Sequence, residues 1–222
     1  MIDTWVFDLD NTLYDPRVRL FDQIERRMTA FMVERLGIVA EDADRLRRAY
    51  WAEHGTTTAG LVRHHGVDPA PFLAFTHDID FSGLAPDPAL RAAIAALPGR
   101  RVVHTNGPLT YALRVLEGLN LADLFDGVFG IEAAGHAPKP EAESYDAVHA
   151  AAKVTPERAV MFEDDPRNLA VPHARGMGTV LVGARAIEGP HIDHHTADLA
   201  GFLTQVMQDG WSSRRHAPSS AP

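Results

Sequence analysis

An apolar run, Trp5-Val6-Phe7, delivers two carboxylates two positions apart, Asp8 and Asp10, at the point where the run ends. A buried central strand excludes charge, so acids placed at its very end require solvent, a cation or a chemical role. In an extended chain, residues i and i+2 share a face, and both carboxylates then converge on one point in space. A polar turn through Asp10, Asn11 and Thr12 explains a lone Asp-x-Asp equally well, and the remainder of the chain decides between the two.

Two further apolar runs end in reactive side chains. Residues 101–104 form a short β-branched stretch that gives way to Thr105-Asn106-Gly107, and residues 159–162 lead into Glu163-Asp164-Asp165. A fourth strand is expected over 179–182. Between these runs the pattern is helical: a helix at 87–97 started by Asp87-Pro88, one from Pro108 to Gly118, one at 141–153, and one opened by Pro166 and closed by Gly176. Strands alternating with helices of this length imply right-handed βαβ units. The expected fold is therefore α/β, a doubly wound, Rossmann-like parallel sheet with helices on both faces.

Residues 15–85 interrupt that alternation with helices alone. Leu20, Ile24, Met28, Phe31 and Met32 fall at helical spacing over 17–36, a second helix is expected at 42–53, and the polar stretch 55–60 breaks the chain before residues 61–65. Asp68-Pro69 then caps a helix through Phe72, Leu73 and Phe75. An all-helical block inserted after the first strand sits over the strand ends as a lid. The expected division is a catalytic core of 1–14 plus 86–210, a helical cap of 15–85, and a disordered Ser-, Pro- and Ala-rich tail of 211–222.

Charge and composition narrow the partners. A net charge of −9 offers no basic stripe for a polyanion, which argues against nucleic acid but leaves a small anion possible if a cation is recruited locally. The absence of cysteine excludes disulfides and thiolate catalysis. No run approaches the roughly 20 apolar residues of a spanning helix, and Asp3, Asp8 and Asp10 interrupt any leader-like N-terminus. A soluble, cytoplasmic protein without a membrane partner is expected.

A parallel sheet brings all its strand ends to one edge. Asp8, Asp10, Thr105, Asn106 and the 163–165 acids would then meet there, joined by Lys139, which sits between two φ-locked prolines, Pro138 and Pro140. A phosphomonoester dianion repels a carboxylate nucleophile, so a cation is needed between them; Mg²⁺ held by Asp8 and Asp164 suits that need. Asp8 would attack phosphorus, and Asp10 would protonate the leaving oxygen and then deprotonate water. Thr105, the Asn106 side chain and amides of the helix behind Pro108 suit phosphate oxygens, and Lys139 would orient Asp8 and balance transition-state charge.

In this order, these residues resemble the four motifs of the haloacid dehalogenase superfamily, over nearly the whole chain to about residue 182. By that resemblance Asp8 is the nucleophile and Asp10 the acid/base, whose backbone carbonyl also binds Mg²⁺. Thr105 matches the second motif, Lys139 the third, and Asp164 the metal-binding fourth, with Glu163 as metal-linked support. The insert looks like the superfamily's small helical cap. Asp10 favours a phosphatase, because members that cleave carbon–halogen bonds do not need a second Asp there. Asp8 to Tyr14, the stretch His54-Gly55-Thr56-Thr57-Thr58-Ala59-Gly60-Leu61, and Phe162 to Asn168 are similar to the pyrimidine 5′-nucleotidase branch, which implies hydrolysis of UMP or CMP. Glu163 and Asp165 stand where that branch more often has Asp and Ser, and Gly107 where a small non-glycine residue is common.

Three threonines, Thr56, Thr57 and Thr58, offer hydroxyls for a nucleobase edge but equally suit a solvated turn. His191, His194 and His195 are expected in a loop past the last strand and match no zinc spacing. His64 and His65 read as surface residues, and His104 as a strand side chain facing away from Thr105. A capped phosphatase or phosphomutase acting on a sugar phosphate or phosphoglycolate would share every core residue. A phosphoaccepting signalling module also combines acids, Thr and Lys, but such a domain is much shorter, lacks a cap and has no use for Asp10. A catalytically silent binding protein would not need all four motifs filled.

Overall fold

The computed structural model describes residues 1–212. Six parallel strands form one sheet in the order β3-β2-β1-β4-β5-β6: β1 Thr4–Phe7, β2 Arg100–His104, β3 Gly127–Phe129, β4 Ala159–Glu163, β5 Gly178–Val182 and β6 His194–Thr196. The chain steps outward from β1 through β2 to β3, then returns to the other side of β1 for β4 to β6. Strand order thus reverses between β1 and β4, the place where doubly wound sheets open a ligand crevice at their carboxyl ends. All four residues of β1 are buried, as are all five of β4 and β5, the pattern of central parallel strands covered on both faces.

Register aligns the reactive strand ends. Phe7 lies beside Val103 of β2 and Phe162 of β4, so one residue further along stand Asp8, His104 and Glu163. The Asp8 amide extends the ladder by donating to the Phe162 carbonyl at 2.9 Å.

Between β1 and β2 the chain is helical: α1 Leu20–Leu36, α2 Ala40–His54, α3 Thr57–His65, α4 Pro69–Thr76 and α5 Pro88–Ala95. In α1 the buried residues Leu20, Ile24, Met28 and Met32 recur every four positions and make one apolar face. Asp68 caps α4 by accepting from the Ala70 amide, and Asp87 caps α5 by accepting from Ala89 and Leu90. The core helices α6 Leu109–Gly118, α7 Ala142–Ala152, α8 Ala170–Ala174 and α9 Leu199–Asp209 complete the fold.

Several expectations change. The first insert helix starts at Leu20, because Pro16–Val18 forms a separate 3-10 turn and Arg19 adopts a left-handed conformation with φ of 58°. The 55–60 break shrinks to a corner: Thr56 caps α3, and Thr57 and Thr58 already lie within it, both buried. The helix expected behind Pro166 begins as a 3-10 turn, Pro166–Leu169, before α8. Strands β3 and β6 have only three residues each, too short for an alternating pattern to register. His194 and His195 therefore lie in a strand rather than a loop. Trp211, expected in the disordered tail, packs edge-on against His194 with centroids 5.0 Å apart; residues 213–222 lie outside the described residues.

Candidate active site

Lys139 is the pivot of the strand edge. Its buried ammonium donates to Asp8 Oδ1 at 2.6 Å, to Glu163 Oε2 at 2.6 Å and to the His104 carbonyl at 2.9 Å. These partners are the residues that the register places side by side at the ends of β1, β4 and β2. An ammonium has three protons, and all three are committed. Lys139, expected to orient Asp8 and to balance phosphate charge, holds the Asp8 carboxylate directly. Burial pulls its pKa down, but the charges of Asp8 and Glu163 outweigh that and hold it raised.

Asn106 fixes the loop that carries this lysine. Its carboxamide donates to the Lys139 carbonyl at 3.0 Å and accepts from the Lys139 amide at 2.7 Å. The side chain expected to contact phosphate thus stitches the second motif to the third, with one N–H left over. Thr105 is buried and accepts from the Gly107 amide at 2.9 Å. The His104 ring faces the other way, onto Ser144 at 3.0 Å and Tyr145, as expected of alternating strand side chains.

Asp10 is held by two tyrosines. Tyr14 and Tyr111 each donate to its Oδ1 at 2.5 Å, and their hydroxyls lie 3.4 Å apart. Burial and the neighbouring Asp8 charge push the Asp10 carboxyl up to about 6, against the lowering effect of the two phenols. That suits a group which must both give and take a proton near neutrality. Tyr111 had no signal in the sequence reading, since a tyrosine at a buried helix position reads as core.

A metal fits the acids beside this pair. Oxygen atoms of Asp8, Glu163 and Asp164 lie within 4.8 Å of one another. Burial first, then mutual repulsion with Glu163, raises the pKa of both Asp8 and Asp164. A set of hard oxygen donors that repel one another in a buried site matches what a divalent cation such as Mg²⁺ requires. Glu163 uses its second oxygen to accept from the Asp165 amide at 3.2 Å, so it anchors Lys139 and the loop, leaving Asp8 and Asp164 as the freer ligands. Asn11, in a left-handed conformation, donates to Asp164 Oδ2 at 3.3 Å and ties the first motif to the fourth. Asp165 caps the following turn by accepting from the Arg167 amide and pairs with the Arg167 guanidinium at 2.6 Å.

The insert reaches this edge at a few points. A Cβ on Gly55 would stand 3.0 Å from the Lys139 carbonyl oxygen and 3.2 Å from Pro140 Cδ, and Gly55 has φ of +78°, so only glycine lets the end of α2 approach so closely. Trp51 receives the Arg167 guanidinium 3.9 Å from its ring centroid. His77, just past α4, packs edge-on against Tyr111 with centroids 4.9 Å apart. Thr56 and Thr57, which suited a nucleobase edge or a solvated turn, both bond within the insert. Thr56 accepts from the Ala59 amide, and Thr57 donates to the Arg47 carbonyl; both hydroxyls serve the helices of the insert. His64 and His65 also have partners: His64 stacks on Tyr50 and meets His54 Nε2 at 2.9 Å, while His65 meets the Tyr50 hydroxyl at 2.8 Å. His194 and His195 bond the Ser212 and Gly183 carbonyls, so the C-terminal histidines form no metal group. No helix among the described residues is long and apolar enough to cross a membrane.

Comparison with known proteins agrees with this geometry. A family model of haloacid dehalogenase-like hydrolases matches residues 2–174. Phosphate metabolism protein 8 of Saccharomyces cerevisiae is 30% identical over 134 residues, which cover 55% of this chain but 41% of the yeast protein. The fold is similar to that of a HAD phosphatase from Thermococcus onnurineus, with a TM-score of 0.65 and 19% identity, covering 92% of this chain and 98% of that one. It is also similar to L-2-haloacid dehalogenase from Xanthobacter autotrophicus, with a TM-score of 0.63 and 18% identity, covering 95% and 100%. A phosphatase and a dehalogenase thus share this architecture almost equally, and the fold alone does not choose between them.

Proposed function

We propose that this chain, which belongs to the haloacid dehalogenase-like hydrolase family by its match over residues 2–174, is a Mg²⁺-dependent phosphomonoesterase whose substrates are pyrimidine nucleoside monophosphates such as UMP and CMP. The observation that carries the choice of phosphatase over dehalogenase is Asp10, a carboxyl pushed up to about 6 and clamped two residues beyond the carboxylate that Lys139 orients. Displacing halide needs no proton donor, whereas expelling an alkoxide does.

The reaction divides into two displacements. Asp8 attacks phosphorus, an Asp8–O–P bond forms, and the bond from phosphorus to the ester oxygen breaks as Asp10 gives that oxygen its proton. Water then attacks the same phosphorus, Asp10 takes one of its protons, and inorganic phosphate leaves with regeneration of the Asp8 carboxylate. Lys139 favours the ionised form of Asp8 against burial and Glu163 and aims it, while Thr105 and the amides behind Pro108 are suited to phosphate oxygens. Mg²⁺ held by Asp8 and Asp164, with the Asp10 carbonyl, would neutralise the dianion that otherwise repels the nucleophile.

The division into a core of 1–14 and 86–210 and a cap of 15–85 belongs to the same proposal, and the insert is where substrate choice would reside. The similarity of residues 54–61 to the pyrimidine 5′-nucleotidase branch supports the nucleotide assignment. So does the contact of Gly55 with the Lys139-Pro140 backbone, which brings that stretch to the edge of the acid cluster. With Thr56 and Thr57 engaged within the insert, the backbone at 55 is better placed than the threonine hydroxyls to meet a base.

Phosphate release from UMP, CMP, purine nucleotides and sugar phosphates, with and without Mg²⁺, tests the assignment. The expected result is Mg²⁺-dependent turnover of UMP and CMP that Asp8→Asn abolishes. Turnover surviving in Asp8→Asn would overturn the mechanism; turnover of sugar phosphates in preference to UMP and CMP would overturn the substrate.

A further inference from the structure

Tyr14 and Tyr111 lie 97 positions apart, one just past β1 and the other on α6, yet both phenols donate to a single oxygen, Asp10 Oδ1, at 2.5 Å each. No described residue hydrogen-bonds the other oxygen, Oδ2. A carboxyl with both hydrogen bonds on one oxygen is fixed in rotation and has its second oxygen left for proton exchange. Two phenols on one acceptor form a specific arrangement, because each must give up its alternatives: both tyrosines are buried, and a buried hydroxyl without a partner is costly.

Local sequence is shaped around this clamp. A Cβ on residue 107 would stand 2.9 Å from Tyr111 Cδ1, so a glycine at 107 leaves the space that the Tyr111 ring fills. The same ring also meets the insert: His77 lies edge-on at 4.9 Å and Phe81 tilted at 5.8 Å between centroids. Arg114, one turn along α6, in turn covers Phe81 with its guanidinium 4.1 Å from the ring centroid. The ring that orients Asp10 is thus wedged between the phosphate-binding turn and the segment leading out of the insert.

We propose that Tyr14 and Tyr111 are positioning residues that present Oδ2 of Asp10 to the leaving oxygen, and that the insert, through His77 and Phe81, holds Tyr111 in place for this role. The assignment rests on the phosphomonoesterase reading above. It names which oxygen carries the transferred proton: Oδ1 stays an acceptor from two phenols throughout, while the proton on Oδ2 moves to the ester oxygen as the phosphorus–oxygen bond breaks, and a proton from water returns to Oδ2 in the second displacement.

Leaving-group dependence isolates the role, because an ester whose alcohol is a good leaving group needs no proton donor and one with an alkoxide does. kcat/KM, which reports the chemistry up to departure of the alcohol, is measured for p-nitrophenyl phosphate and for UMP in Mg²⁺ with wild-type enzyme, Tyr111→Phe and Tyr14→Phe. Either variant keeps the ring and its packing. The expected result is a loss of about 10- to 100-fold on UMP with p-nitrophenyl phosphate within about threefold of wild type; retained activity on the latter shows in the same assay that the variant is folded. His77→Ala should give a smaller loss with the same selectivity. Equal losses on the two esters, or no loss on either, would overturn the positioning role alone. A wild-type enzyme inert toward both esters and toward purine nucleotides and sugar phosphates would overturn the phosphatase reading and this assignment with it; where another alkyl phosphate is the one turned over, it replaces UMP in the same comparison.

Discussion

The strand edge and the helical insert face each other, but they use their polar groups in opposite ways. At the strand edge the bonds that tie one motif to another span the chain: Lys139 to Asp8, 131 positions earlier, Asp10 to Tyr111, 101 positions later, and Asn11 to Asp164, 153 positions later. In the insert the partners of the threonines and histidines lie within 15 positions: Thr56 caps its own helix, Thr57 bonds Arg47, and His65 bonds Tyr50. The edge is a preorganised charge array, and the helical stretch between β1 and β2 bonds largely within itself and meets the edge through shape, at Gly55, and through rings, at His77 and Trp51. Chemistry is therefore expected to be sensitive to single atoms at the edge and to packing in the insert.

Removing the pivot should produce the largest effect. Lys139→Met leaves Asp8 and Glu163 buried without their cation, which should destabilise the fold by about 3–5 kcal/mol and abolish turnover; a denaturation midpoint within error of wild type would show that the acids relax freely and that the edge is not preorganised. Next come two histidines, the half-buried His77 of the insert and the buried His149 on α7 of the core. Burial holds His77 and His149 at about 4, below the ordinary value of 6.5. The unfolded chain takes up protons first, so stability is full above pH 6.5 and falls as pH drops from 6.5 toward 4, by on the order of 3 kcal/mol for each. Urea denaturation across that range should show the fall, with His77→Gln and His149→Gln each flattening part of it. An unchanged slope in His77→Gln would mean that this ring is solvated, and that its seat on Tyr111 is loose.

A smaller effect is expected where the insert touches the edge. Gly55→Ala combines a left-handed backbone with a close approach to the Lys139 carbonyl, and should cost about 1 kcal/mol in stability and about tenfold in kcat/KM. Wild-type kinetics there would show that the insert can lift without consequence. Smallest of all is Thr57→Ala, which removes a hydrogen bond internal to the insert. It should leave the relative kcat/KM values of UMP and CMP within about twofold; a larger change would return the threonines to the substrate site.

The division between the regions also explains what was legible in the sequence. Asp8, Asp10, Thr105, Lys139 and Asp164 could be assigned to one edge because apolar runs ended in them and parallel topology aligns such ends. The positions and parallel direction of β1, β2, β4 and β5 followed from the same runs, whereas their order in the sheet did not. Strands β3 and β6 were not visible, since three residues with mixed burial carry no period. The tyrosine clamp was not visible either: a phenol reveals its partner only when α6 has packed beside β1. Asn106 was placed at the edge, but its bonds to the Lys139 amide and carbonyl were not legible, because a carboxamide suits a backbone amide and carbonyl as well as it suits a phosphate. Local capping explains the misreading of the Thr56 to Thr58 stretch, where hydroxyls near a glycine resembled a loop and were in fact the first turn of a helix.

The ammonium that touches three strand ends also guards the sheet against its commonest error. A shift of β2 or β4 by one residue would turn the side chains at its end to the opposite face, carry Glu163 or the His104 carbonyl away from Lys139, and strand a cation in the interior at a cost of several kcal/mol. The same three bonds that aim the nucleophile therefore admit a single alignment of the central strands, so that a chain able to catalyse is also a chain whose sheet has been correctly threaded.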